Sequence, residues 1–227
     1  MDERFSRSSR ILGEERLEKL NNSSVIVFGV GGVGGAVLEA LVRGGVGTVG
    51  VVDKDIIDIT NLNRQIIATD ENIGEKKVDA AQKRALSINP KVNIEKYDLF
   101  YLPETAEQID LAKYDFIVDA VDNVTAKLEL IGRAEKLGIP IISSMGTGNK
   151  LHPEMFEITD IYKTSVCPLA RVIRRELKNR GIKKLTVVYS KEEPVKTDSS
   201  VPGSTSFTPP VAGYLMASYI IRKLTEV

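Results

Sequence analysis

The sequence has 227 residues, enough for one large α/β unit with a real core. Hydrophobic residues make up 42% and charged residues 27%, a balance that argues against disorder, and no apolar run approaches the length of a membrane span. Lys and Arg total 31, as do Asp and Glu, so net charge is zero; the single Cys167 excludes an intrachain disulfide or a Cys-rich zinc site, and the single His152 excludes multi-histidine metal chemistry.

Met1-Asp2-Glu3-Arg4 leads into no apolar signal core, so a cytoplasmic location without membrane partners is expected. Phe5 to Leu20 spaces Phe5, Ile11, Leu12, Leu17 and Leu20 among charges and predicts an amphipathic helical arm over 1–23. Val25-Ile26-Val27-Phe28, cut off by Gly29, Gly31, Gly32, Gly34 and Gly35, reads as strand, tight turn and helix. The helix from Val33 to about Arg43 stops at Gly44-Gly45, and Thr48 to Val52 is a second strand closed by Asp53. A helix over Lys76–Ile88, strands at Val92–Tyr97 and Phe116–Val118, a helix over Thr125–Leu137 and a strand from Pro140 follow. Strands alternating with helices predict a Rossmann-like, mainly parallel sheet with helices on both faces and ligands at the strand carboxyl ends.

Beyond residue 150 the pattern is less regular. Pro168 suits the first helical position of a helix running to about Asn179, Leu185–Tyr189 is a strand, Lys191–Pro210 is a long polar loop, and a helix from Val211 closes the sequence. A single domain is therefore expected over 1–227, with an arm (1–23), a core (24–150) that the motifs below make nucleotide-binding, and an irregular C-terminal part (151–227). Charge is uneven here: from Lys163 to Lys184 eight basic residues face one acid, Glu176. Arg171, Arg174, Arg175 and Lys178 are the candidates to meet a polyanion such as RNA; a solvated helix face is the alternative.

Gly29-Val30-Gly31-Gly32-Val33-Gly34 satisfies G-x-G-x-x-G, and Asp53 ends the next strand where an acid meets ribose hydroxyls. At this point a nicotinamide dinucleotide fits as well as a nucleoside triphosphate. Asn61-Leu62-Asn63-Arg64-Gln65 and Gly74-Glu75-Lys76-Lys77 tip the balance, because two cations suit attack on an α-phosphorus with departure of pyrophosphate, and Arg64 and Lys77 can neutralise that charge. The acids of Asp119-Ala120-Val121-Asp122-Asn123 are expected in the same crevice, with Asp122 holding magnesium or orienting a carboxylate. Cys167, before a helix start, is read as a small buried cap in preference to a nucleophile.

These motifs resemble the ubiquitin-activating-like adenylating enzymes that include the ThiF, MoeB and HesA proteins. The resemblance implies ATP and Mg2+ as cofactors, with Gly29, Gly31, Gly32, Gly34, Asp53, Asn61, Asn63 and Gln65 around the nucleotide and Arg64, Lys77 and Asp122 at the chemistry. It implies a homodimer in which an arm arginine, here Arg10, is lent to the partner's site. The two zinc-binding Cys pairs of many members are missing, so zinc is not expected. Ser144-Met145-Gly146-Thr147-Gly148-Asn149-Lys150, Tyr189 to Pro194 and Gly203 to Phe207 resemble the tRNA threonylcarbamoyladenosine dehydratase branch. That branch implies adenylation and cyclisation of the threonylcarbamoyl group on tRNA, with a sulfur-relay-type protein as a further possible partner. A sulfur-carrier adenylase and a non-catalytic ATP sensor are the alternatives.

Overall fold

The structure, a computed structural model, describes residues 2–227. The arm forms two short helices, α1 (Ser6–Leu12) and α2 (Glu14–Asn21), broken where Gly13 takes φ +83°. There follow β1 (Ser24–Phe28), α3 (Gly32–Gly44), β2 (Thr48–Val52), α4 (Lys77–Ile88), β3 (Asn93–Tyr97), β4 (Phe116–Asp119), α5 (Val124–Leu137) and β5 (Ile141–Ser144). The remainder holds β6 (Phe156–Asp160), α6 (Pro168–Asn179), β7 (Thr186–Ser190) and α7 (Thr208–Thr225).

One seven-stranded sheet runs β3-β2-β1-β4-β5-β7-β6, parallel throughout except β6, which pairs antiparallel with β7. Winding reverses between β1 and β4, and the crevice outside their carboxyl ends is the natural ligand position. Alternating side chains feed two cores. Val25, Val27, Val49, Val51 and Val118 face α3, α4 and α7, whereas Ile26, Phe28, Val52 and Ile117 pack on α5 residues such as Leu130 and Ala134. Leu128, Ile131, Ile173, Leu177 and Val187 make a third cluster between α5, α6 and β7.

Two sequence expectations change. Phe156–Asp160 was not anticipated as a strand: its polar, half-exposed residues suit an edge, where only one neighbour supplies hydrogen bonds. Pro209 and Pro210 belong to the first turn of α7, not to the preceding loop, since proline's missing N–H costs nothing there. The helix α7 crosses back over the N-terminal half, and a Cβ at Gly213 would meet the Val33 carbonyl and lie 2.8 Å from Ala36 Cβ, so glycine sets the approach to α3. Among the described residues no helix is long and apolar enough to cross a membrane.

Candidate active site

A cavity of about 550 Å³ opens at the switch point between β1 and β4. Its first wall is the turn from β1 into α3. Gly29 adopts φ +81°, and a Cβ there would lie 2.8 Å from the Ala120 carbonyl of the β4 tip. The α3 start has Gly31 as its cap, no side-chain cap and no acid in its first turn, which leaves backbone N–H groups for an anion. Gly29, Gly31 and Gly32 line the cavity; Gly34 lies behind, where a Cβ would overlap the Gly29 carbonyl.

Asp53 fixes this turn. Its Oδ2 accepts the Val30 N–H at 2.9 Å and its Oδ1 the Asp55 N–H at 2.9 Å, leaving each oxygen a lone pair for a hydroxyl donor. Burial pushes its carboxyl above the usual aspartate range, with the Lys77 charge and the two N–H donors offsetting part of that shift. Lys77 opens α4 with its side chain 8% exposed and pairs with the half-open Asp55 at 2.8 Å. Arg64 donates from Nη1 to the Thr60 carbonyl and to Asn63 Oδ1, both at 2.8 Å, while its other guanidinium N–H groups have no partner among the described residues.

The neighbouring amides divide. Gln65 is buried in the cavity wall with Oε1 lacking a donor. Asn61 lines the cavity, and its Oδ1 accepts the Asp58 N–H in a capping box. Asn63 stands outside the lining: its Nδ2 donates to the Ser204 carbonyl at 3.0 Å, so it couples Arg64 to the C-terminal loop.

The opposite wall comes from the β4 and β5 tips and from residues far along the sequence. Asp122 is exposed and lines the cavity. Asp119 does not meet the crevice as expected; it is sealed against Lys127, a residue the sequence reading passed over. Lys127 shares the apolar face of α5 with Leu130, Ile131 and Ala134, and a lysine at helical spacing on such a face was the available signal. Ser144 to Gly148 form the rest of this wall with Leu169, Val201–Ser204 and Pro209.

Asn149, at φ +56°, moors the loop. Its N–H donates to the Gly203 carbonyl at 2.8 Å, its Oδ1 accepts the Gly203 N–H at 2.6 Å, and its carbonyl accepts the Val195 N–H at 2.7 Å. Beside it, buried Lys150 donates to the Glu192 carbonyl at 2.7 Å, and burial pushes its amine below the usual lysine range. The Glu192 carboxylate accepts the N–H groups of Leu151 and His152.

Among the described residues no group of three or more His, Cys, Asp or Glu side chains could hold a metal. Asp122, exposed on the lining, could supply one carboxylate to a magnesium ion whose other ligands would be phosphate oxygens and water, the usual donor set for that ion. Cys167 is buried and caps α6 without a side-chain hydrogen bond. Arg171, Arg175 and Lys178 are exposed on α6, but Arg174 turns inward: its Nη1 donates to the Thr164 carbonyl at 2.8 Å and to Thr164 Oγ1 at 2.5 Å. It ties α6 to the preceding turn and is half-buried, whereas its three neighbours are exposed. Arg10 is exposed on α1 and does not line its own chain's cavity.

The sequence matches the ThiF family over residues 5–227. It is 40% identical over 240 residues to the tRNA threonylcarbamoyladenosine dehydratase of Bacillus subtilis, covering 98% of this chain and 94% of that protein. It is 43% identical over 131 residues to a sulfur carrier protein adenylyltransferase of Thermus thermophilus, with 58% of this chain and 48% of that protein covered. The crystal structure of Escherichia coli tRNA N6-threonylcarbamoyladenosine dehydratase in complex with ATP superposes with TM-score 0.93 at 31% identity, covering 98% of this chain and 94% of that one.

Proposed function

The chain belongs to the ThiF family, and from that premise we propose that it is an ATP-dependent tRNA threonylcarbamoyladenosine dehydratase. The observation that carries this reading is one cavity bounded on one side by the glycine turn, Arg64 and Lys77 and on the other by Asp122 and the Ser144–Gly148 segment. The likeness to the Bacillus and Escherichia enzymes over nearly the whole sequence, C-terminal part included, favours the dehydratase over the sulfur-carrier reading.

In this mechanism the glycine turn and α3 start hold phosphate oxygens, and Asp53 accepts ribose hydroxyls. Asn61 and Gln65 border the phosphates, and Asn63 steadies Arg64. A threonyl carboxylate oxygen attacks the α-phosphorus, the bond from that phosphorus to the bridging oxygen breaks, and pyrophosphate departs with its negative charge met by Arg64 and Lys77. Lys77 must exchange Asp55 for phosphate, which its half-open partner permits. An atom of the carbamoyl group then attacks the acyl carbon, loses its proton, and AMP leaves with the former carboxylate oxygen. The substrate carries its own nucleophile, so proximity replaces an enzyme cysteine. Magnesium, held through Asp122, would shield the triphosphate charge.

Residues 1–227 act as one adenylating unit, with 1–23 as the arm, 24–150 as the nucleotide-binding core and 151–227 facing the tRNA, whose backbone meets Arg171, Arg175 and Lys178. The unit works in the cytoplasm as a homodimer in which Arg10 serves the partner's phosphates. Mixing Arg10→Ala with Lys77→Ala subunits tests this last point: one intact site per mixed dimer restores activity, and exchange without recovery rejects it. The function itself is tested by mass spectrometry of anticodon-loop nucleosides after incubating threonylcarbamoyl-modified tRNA with protein and ATP. A product lighter by one water with stoichiometric AMP and pyrophosphate is expected. An unchanged nucleoside rejects the reading, and ATP binding without pyrophosphate release favours a sensor.

A further inference from the structure

Lys127 lies behind the wall built from the β4 and β5 tips without lining the cavity, and both it and Asp119 are 0% exposed. Its ammonium donates to Asp119 Oδ1 at 3.0 Å, Ser143 Oγ at 3.3 Å and the Ser144 carbonyl at 2.8 Å, which uses all three donors. Asp119 Oδ2 accepts the Ser143 hydroxyl at 2.5 Å, and Oδ1 also accepts the Val121 N–H at 3.3 Å. Stability alone does not explain such a group, because well-packed apolar residues of like volume commonly serve as well or better.

The network sits where the sheet stops holding its strands together. Pairing of β4 with β5 ends at Asp119 and Ser143. Beyond that register β4 leads into Ala120–Asp122 against the glycine turn, and β5 leads into Ser144–Gly148. Lys127 bonds the last residue of each strand, and Asp119 bonds the first turn after β4.

From this geometry we infer that Lys127 is a positioning residue for adenylation: with Asp119 and Ser143 it fixes the separation between the two segments of the far wall, the Asp122 turn and Ser144–Gly148, and so the placement of the carboxylate relative to the α-phosphorus. The inference rests on the adenylation reading above. ATP binding rests on the glycine-turn side of the cavity, whereas the transition state also needs the two segments of the far wall at the right spacing, and a misplacement near 1 Å costs on the order of 10²-fold in rate.

Lys127→Met alone leaves Asp119 buried without its countercharge, so it probes folding as much as function. The informative variant combines Lys127→Met with Asp119→Asn, which stays neutral, keeps an amide oxygen for the Val121 N–H and offers its amide N–H to the Ser143 hydroxyl, and loses the tie to Ser144. Thermal unfolding establishes its fold, and tRNA-dependent pyrophosphate release gives kcat and both KM values. A folded protein with ATP KM unchanged and kcat lowered roughly 10²-fold is expected. Ser143→Ala, which keeps both charges paired, should give the same signature at about tenfold. Wild-type kcat in the folded variants, or a loss carried wholly by a raised ATP KM, overturns the inference while leaving the function standing. Absence of pyrophosphate release from the wild-type protein overturns both.

Discussion

The two walls of the cavity are made in opposite ways. The nucleotide wall is local: β1, the glycine turn and α3 are consecutive, and Asp53 and Lys77 follow in the next two units of the same winding. The opposite wall is assembled from remote pieces, with Asn149 bonded to Gly203 across 54 residues, Asn63 to Ser204 across 141 and Lys150 to Glu192 across 42. A wall built locally tolerates loss of a side chain without moving, so its variants report chemistry. A wall held by moorings moves when a mooring is cut, so its variants report placement.

The largest effect is expected on the local wall. Arg64→Ala and Lys77→Ala should each lower pyrophosphate release by ~10²-fold or more, since each removes charge that counters the departing phosphates. Circular dichroism should show an unchanged fold, and near-normal turnover would remove that residue from the chemistry. On the remote wall, Asn149→Ala cuts the side-chain bond to Gly203 and strains a backbone at φ +56°. It should raise the KM for modified tRNA by roughly tenfold and leave the KM for ATP alone, the magnitude being that of about one hydrogen bond of 1–1.5 kcal/mol. Equal shifts in both constants would erase the contrast between the walls.

Further from the cavity, charge reversal of Arg171, Arg175 and Lys178 should weaken tRNA binding and reduce its salt slope by roughly one for each phosphate no longer neutralised. Unaltered salt dependence would make α6 a solvated face. Glu39, buried on α3, sharpens the same comparison from the stability side. Burial alone would raise its carboxyl, but Arg84 at 2.8 Å and Arg43 at 2.6 Å reverse this and hold it below the usual glutamate range. The unfolded chain therefore binds that proton more tightly, so the contribution is complete above the unfolded value of 4.5 and is lost as pH falls through the lower folded value. Glu39→Gln should cost about 1–2 kcal/mol at pH 7 and remove that part of the acid sensitivity, measured by denaturant unfolding against pH. The smallest effect belongs to Cys167→Ser: turnover unchanged, stability lower by about 1–2 kcal/mol for a buried hydroxyl. Loss of turnover with the fold intact would require a covalent intermediate.

The same division explains what the sequence disclosed. The nucleotide wall was legible because its signals are short-range: a glycine turn between an apolar run and a helix, an acid at the next strand end, a lysine at a helix start. The Pro168 helix start was legible for the same reason. Asn149 and Asn63 look like ordinary loop residues, since nothing local identifies a partner 54 or 141 residues away. Arg174 read as surface charge because its acceptors lie in a turn, at Thr164, that periodicity does not orient. Lys127 was overlooked although its spacing with Leu130 and Ile131 put a charge in an apolar stripe. Asp119 and Asp122 sit three residues apart in one motif, yet one is sealed and the other open, because β4 ends at the first.

The return of α7 across α3 also sets a timetable. Ala212, Met216 and Ile220 cover the face of the sheet that carries Val27, Val118 and Val188, and Pro209 lines the cavity itself. About 180 residues separate β1 from α7. At translation rates of about 5–20 residues per second, the first strand leaves the ribosome roughly 10 to 40 seconds before its covering helix does. The glycine turn is thus among the first parts synthesised and among the last to be finished, and the nascent chain carries an uncovered valine-rich surface in the interval, the kind of transient apolar exposure that favours aggregation.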